Sequence, residues 1–190
     1  EISGYYGIYN NNSNSLLEMT GGKVIGTGAN GVTAYGTTNI YGGRIEGKTY
    51  GIYLNATNKV TIGKQEDELS TTEPAIYGAS YGIYMNTDTY TFNFYNGVII
   101  SNTEETAFRG DLNPRTGYML YTYFEESDTK YHTILVQTVD NITMEATPTE
   151  FTNGDVTVKI TYPYDNNIRQ YSEDGTNWIT TNKYIQYVTV

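Results

Sequence analysis

A four-residue phrase recurs through the first half of the chain: Tyr6-Gly7-Ile8-Tyr9, Tyr50-Gly51-Ile52-Tyr53 and Tyr81-Gly82-Ile83-Tyr84, with a weaker copy at Asn30-Gly31-Val32-Thr33. Each copy leads, after a variable stretch, to a second phrase of apolar residue, glycine and apolar residue: Met19 to Gly26, Ile40 to Gly47 and Phe94 to Ser101. From the last glycine of a second phrase to the central glycine of the next first phrase the step is five residues (26 to 31), four (47 to 51) and four (78 to 82). The whole repeat instead runs 24, 20 and 31 residues, counted from Gly7 to Gly31, Gly51 and Gly82 in turn. Fixed phrases joined by elastic connections are what stacked coils of strand produce.

Side chains two apart on a strand share a face. The first phrase therefore places Ile8, Val32, Ile52 and Ile83 in one stacked column, followed two residues on by Asn10, Ala34, Leu54 and Met85. The second phrase gives a column of Met19, Ile40, Ile62 and Phe94 and another of Val24, Ile45, Ile76 and Ile99. A slip of one residue would turn a whole apolar set outward, so the pattern specifies its own pairing. The fold expected is all-β: a parallel β-helix of about four to five rungs over residues 1–116, each rung rising ~4.8 Å by ordinary strand spacing.

Composition narrows what such a coil could do. Glycine, asparagine, threonine and 21 tyrosines dominate, no stretch is apolar enough to span a membrane, and there is no cysteine for a disulfide, a thiolate metal site or a cysteine nucleophile. The net charge is −10, with eight acids against five bases in residues 1–100 and thirteen against six in 101–190, so a nucleic-acid partner is not expected. Glu1-Ile2-Ser3-Gly4 matches Val24-Ile25-Gly26 in position, which reads as a chain beginning inside a rung, a fragment of something longer.

Lys64 to Pro74 interrupts the third rung before Ala75-Ile76-Tyr77-Gly78 resumes it, and is expected to be a solvated excursion, since coils accept insertions at their corners. The last rung is degraded, with Ala107-Phe108 in place of Gly-Ile and Arg109 where tyrosine stood. Two longer strands, Tyr118 to Phe124 and Tyr131 to Val139, flank a polar turn and form a hairpin over 117–139 that is expected to cap the open end of the coil. From residue 140 to 190, short strands at Ile142 to Ala146, Val156 to Tyr162, Ile168 to Ser172, Trp178 to Thr180 and Tyr184 to Val190 read as part of an immunoglobulin-like β-sandwich.

Repeats such as residues 38–53, Tyr-Gly-Ile-Tyr after Ile-x-Gly-Gly-x-Ile-x-Gly, resemble the β-helical repeats of large surface proteins of Gram-positive, often gut-dwelling, bacteria. Thr149 to Trp178, with Tyr171-Ser172-Glu173-Asp174-Gly175-Thr176-Asn177-Trp178, is similar to the bacterial immunoglobulin-like modules that follow them. The resemblance implies an exported, cell-wall-attached or secreted protein, an adhesin or stalk, with its second module truncated and able to self-associate through an open sandwich edge. It carries no expectation of a cofactor or of catalysis.

The candidate binding surface is an outward row of Tyr9, Tyr53 and Tyr84, interrupted by Thr33. Flat faces with polar tips suit glycans or a host surface protein, and the same rings would also stack on one another as a stabilising ladder. Lys23 and Arg44, stacked on adjacent rungs, are the basis of the rival reading, a fragment of a polysaccharide lyase or hydrolase acting on an acidic polymer, with Glu46, two residues from Arg44, at hand to neutralise it. Arg109-Gly110-Asp111 is the tripeptide that integrins recognise, but the repeat register sets Arg109 on a strand and Gly110 in a core column rather than at a loop tip. His132 is the single histidine, with no nucleophile motif beside it, and Trp178 is expected to be the sandwich's core aromatic. The acids of the excursion match no twelve-residue calcium loop, so no metal site is expected.

Overall fold

Each turn of chain lays down three strand segments, and the corners between two of them are set by glycine. The computed structural model describes residues 1–55, 60–86, 91–138, 141–149, 154–163, 169–181 and 183–189. The ends of three expected strands, at Val139, Ile168 and Val190, and the turn residue Asn153, lie outside the described residues. In chain order the coil comprises β1 (Ile2–Gly4), β2 (Ile8–Asn10), β3 (Leu16–Gly26), β4 (Val32–Ala34), β5 (Thr37–Gly47), β6 (Tyr50–Leu54), β7 (Val60–Ile62) and β8 (Ala75–Gly78). It continues through β9 (Tyr81–Met85), β10 (Thr91–Phe94), β11 (Val98–Ser101), β12 (Phe108–Arg109) and β13 (Asp111–Pro114).

All pairings among these strands are parallel. One sheet, in the order β12-β9-β6-β4-β2, is built from the Tyr-Gly-Ile-Tyr phrase, and its register aligns Ile8, Val32, Ile52, Ile83 and Phe108. The long strands β3 and β5 each run through a corner and supply two further faces. The first half of β5 pairs with β7 and its second half with β8. The expected columns appear in this register, Met19-Ile40-Ile62-Phe94 on one face and Ile2-Val24-Ile45-Ile76-Ile99 on the other. The result is a parallel β-solenoid of about five turns.

Its core follows the two-residue alternation. Val32, Ile52, Ile83, Ile40, Ile62, Ile45, Ile76, Ile99, Phe92 and Phe94 have no solvent exposure. Ile8, expected to be buried with its column, is only half-buried, because β2 is the last strand of its sheet and has a neighbour on one side alone.

Two kinds of glycine explain the phrases. Gly22, Gly43, Gly63 and Gly97 turn the corner of successive coils with φ between 73° and 99°, a left-handed conformation that side chains with a Cβ disfavour. Gly7, Gly31, Gly51 and Gly82 stand in a column for another reason: a Cβ on Gly51 would lie 2.5 Å from the carbonyl oxygen of Gly82, and one on Gly82 would lie 2.7 Å from that of Ala107. Each added methyl would therefore strike the backbone of the following turn. At Ala107 such a methyl is present, and no equivalent turn stacks beyond it.

Instead β14 (Tyr118–Glu125) and β15 (Lys130–Gln137) form the expected hairpin. β15 pairs antiparallel with β11, setting Val98 opposite Ile134 and Ile99 opposite Thr133. Leu135 enters the solenoid core, with Tyr118 and Leu120 packed against it, so the hairpin covers both the strand edge and the apolar end.

The chain divides into two compact units, Glu1–Val136 and Gln137–Val190. The second holds a three-stranded antiparallel sheet, in the order β16-β17-β20, from β16 (Thr143–Thr147), β17 (Thr157–Thr161) and β20 (Ile185–Thr189). A separate pair joins β18 (Arg169–Tyr171) and β19 (Ile179–Thr181). Its buried cluster is Ile160, Tyr162 and Val188, with Val158 and Tyr171 against it.

Candidate functional site

The register puts Tyr9, Thr33, Tyr53, Tyr84 and Arg109 at equivalent positions on the first sheet, all on the side away from the core column. Tyr9 is half exposed, Tyr53 and Tyr84 are partly exposed, and none points into the coil. Tyr53 and Tyr84 stack with planes 6° apart and centroids 5.6 Å apart. Tyr50, one strand position from the turn, joins them at 5.6 Å from Tyr53 and 4.5 Å from Tyr84. The Arg109 guanidinium lies 4.9 Å over the Tyr84 ring and donates to its hydroxyl. Ring faces in this ladder are thus largely taken up by one another and by Arg109. Burial pushes the Tyr53 and Tyr50 phenols above their ordinary pKa, and neighbouring tyrosines add to the shift.

Thr33 breaks the row because it is buried, where its hydroxyl accepts a 3.0 Å bond from Asn30 Nδ2. Tyr9 consequently turns to Tyr35, 6.0 Å away between ring centroids. The hydroxyl of Tyr9 donates to that of Tyr35, which raises the Tyr9 pKa and lowers that of Tyr35. A second donor, Asn55 Nδ2, reaches the Tyr35 oxygen at 2.6 Å. Arg109 joins this surface at the register position of the tyrosines, and Tyr50 and Tyr35 join it through contacts that the two-residue alternation does not encode.

Lys23 and Arg44 stack as expected, and the next members of their column are Ala75 and Val98. Both cations are spoken for by one carboxylate: Glu46 takes Lys23 at 3.2 Å and Arg44 through its Nε. Partial burial opposes ionisation of Glu46, but the bonds from Arg44 and Lys23 outweigh it and hold the carboxyl below the ordinary range.

Arg109-Gly110-Asp111 lies at a corner between β12 and β13, where Gly110 has φ 112° and packs over Met85, so a Cβ there would meet the Met85 thioether methyl at 2.2 Å. With Arg109 held on Tyr84, the tripeptide does not form a projecting loop. His132 pairs with Asp128 across the hairpin turn, Nε2 to Oδ2 3.0 Å, beside the Tyr123 ring. Partial burial opposes ionisation of Asp128, yet its bond to His132 leaves the carboxyl below the ordinary range. Trp178 corrects an expectation. It is 62% exposed rather than a core aromatic. The turn before it is fixed by Asp174, which accepts from the Thr176 and Asn177 amides at 2.8 and 2.7 Å, and the small cluster around Ile160 is filled without the indole.

The excursion from Lys64 to Pro74 leaves the coil at the Gly63 corner with its acids exposed. It is nonetheless tied down: buried Asn96 accepts from Ser70 N at 2.6 Å and donates to Glu68 O at 2.8 Å, and Arg115 donates to Asp67 O at 2.8 Å. Beside its root is an open cleft of about 310 Å³ lined by Tyr41, Thr61, Gly63, Lys64, Gln65, Glu66 and Tyr95. Among the described residues no group of three or more His, Asp or Glu could hold a metal ion. Among the described residues no helix is long and apolar enough to cross a membrane. Comparison with known proteins finds no family model, curated protein or solved structure that matches the chain.

Proposed function

We propose that this chain is a non-catalytic segment of a bacterial cell-surface adhesin or stalk, extracellular and attached to the cell wall or secreted, that presents a rigid strand surface to glycans or host proteins. The observation that carries this reading is the outward tyrosine surface of Tyr9, Tyr53 and Tyr84, set on strands whose opposite side is buried core at Ile52 and Ile83 and half-buried at Ile8. Rings held by stacking present partly exposed edges and polar tips with little side-chain entropy left to lose on binding. The neutralisation of Lys23 and Arg44 by Glu46 weighs against the rival, an enzyme fragment that grips an acidic polysaccharide with those cations.

The second unit is read as an immunoglobulin-like module of a Gram-positive surface protein, a reading supported by the sequence resemblance and by its antiparallel strands. β20, the last strand, and β16, all five of whose residues are exposed, end the sheet and are the edges through which self-association by strand addition would proceed. The test is binding of the chain to immobilised glycan and extracellular-matrix arrays, with a Tyr9→Ala, Tyr53→Ala, Tyr84→Ala triple variant. Loss of signal in the triple variant supports the reading. Release of unsaturated products from uronic-acid polymers by the unmodified chain would overturn it in favour of the enzyme.

A further inference from the structure

The tyrosine ladder has a counterpart with a gap in it. On the face formed by the first half of β5, β7 and β10, register aligns Ile40, Ile62 and Phe94, and the next residue in each turn is Tyr41, Gly63 and Tyr95. The ladder continues through them, since Gly63 N donates to Ile40 O and Tyr95 N to Ile62 O, both at 2.8 Å. Two tyrosines therefore flank a turn whose position between them carries no side chain. Gly63 is fixed there twice over, by its φ of 73° and by Asn96, whose Cβ would lie 2.3 Å from any Cβ at 63. The gap is thus built into the coil.

Two strand spacings of ~4.8 Å separate the tyrosine positions. That span is wide enough for one saturated six-membered ring with a contact distance of about 3.5–4.0 Å on either side. The rim supplies polar groups of every kind: Lys64 and Gln65 donate, and Thr61, Gln65 and Glu66 accept. Lys64 is already near, its Nζ 5.0 Å from the centroid of Tyr41. Opposite charges on Lys64 and Glu66 leave no net charge to select an ionic ligand. The cleft is also open, so neither charge is stripped of water, and hydroxyls that exchange bonds with water fit this rim better than an ion does.

We propose that this cleft is a saccharide subsite, in which a neutral hexose unit of a glycan chain packs between Tyr41 and Tyr95 over Gly63 and hydrogen-bonds to Lys64, Gln65, Glu66 and Thr61. A protein side chain would bring with it a partner surface of about 1,000 Å² or more, for which the exposed, charged excursion beside the cleft is a poor seat. The subsite is distinct from the row of Tyr9, Tyr53 and Tyr84 and does not depend on that row binding anything.

The test is titration of the full chain with cellohexaose, mannohexaose and maltohexaose, followed by NMR and calorimetry, with hexagalacturonate and N-acetyl-tryptophanamide as contrasting probes. At least one neutral oligomer is expected to saturate with a dissociation constant of about 1 mM, typical of a ligand engaging about a dozen heavy atoms. Tyr41→Ala and Tyr95→Ala are each expected to weaken it by about tenfold or more, while Tyr41→Phe and Tyr95→Phe, which keep the ring face, stay within about threefold. Lys183→Ala, at an exposed position of the second unit, should leave it unchanged. No saturation by any neutral oligomer overturns the proposal, as does binding that survives Tyr41→Ala and Tyr95→Ala. Preference for hexagalacturonate or for the indole probe overturns it equally. Binding that survives those two substitutions but is lost in Tyr53→Ala with Tyr84→Ala would sink this subsite while supporting the tyrosine row.

Discussion

Glu46 and Gly51 show how much single residues fix in a coil whose turns repeat. Without Glu46, Lys23 and Arg44 would stack as like charges on adjacent strands. Glu46→Gln is therefore expected to lower stability by about 0.5–1 kcal/mol at neutral pH and low salt, since all three groups are partly exposed and screened. The folded-state pKa of Glu46 is depressed, so its contribution is full above the unfolded carboxyl pKa and fades as pH falls through the folded one. Urea titrations of the two proteins should accordingly differ at pH 7 and converge as the pH falls below the depressed Glu46 pKa; a gap that persists in acid would mean the loss is packing and not charge. Gly51 acts through space. A methyl there would meet Gly82 O at 2.5 Å and Ile76 Cγ2 at 2.7 Å, one of them backbone that cannot swing away. Gly51→Ala should cost about 1–3 kcal/mol or more, measured by chemical denaturation, despite alanine's small size.

Among elements, the excursion at Lys64 to Pro74 carries more than a surface loop usually does. Long surface insertions are cheap in chain entropy, which argues that joining Gly63 to Ala75 through a short turn would be harmless. Asn96 changes that expectation, because its buried amide is satisfied by Glu68 O and Ser70 N. The deletion is expected to fold cooperatively yet lose about 1–3 kcal/mol, the cost of leaving a buried polar group unpaired. Asn96→Ala in the full chain should cost a similar amount, and adding it to the deletion should cost little more, because both remove the same interaction. Full additivity in that double-mutant cycle would show that the excursion is held by something else. The capping hairpin is the counterpart at the end of the coil: Ala107 ends the glycine column, and β15 runs antiparallel to β11 and covers that strand's edge, while β12 and β13 each end their sheets.

For the whole molecule, the two units differ in how much they bury. The first has a continuous column core from Met19 to Leu135, and the second has Ile160, Tyr162 and Val188. Amides of β6 and β9 are expected to exchange with solvent far more slowly than those of β16 and β20, and thermal unfolding should show two transitions. Uniform protection and a single transition would show that the units stabilise one another as one cooperative body. What the sequence by itself determined was everything carried by local period. Alternation in Tyr-Gly-Ile-Tyr names the buried columns, and constant glycine spacing sets the register between turns. The five short strands of the second unit were legible for the same reason, since turn residues and alternation act within a few positions. Only the tertiary structure decided which turns of chain lie beside which side chains. It brought Glu46 to Lys23 across a turn, set Tyr50 and Arg109 on the faces of Tyr84, and opened the gap between Tyr41 and Tyr95 by placing Gly63 between them. It also left Trp178 in solvent, against the expectation of a core aromatic. Contacts of that kind join residues 23 to 54 positions apart through the stacking of turns, and no period along the chain encodes how the side chains then meet.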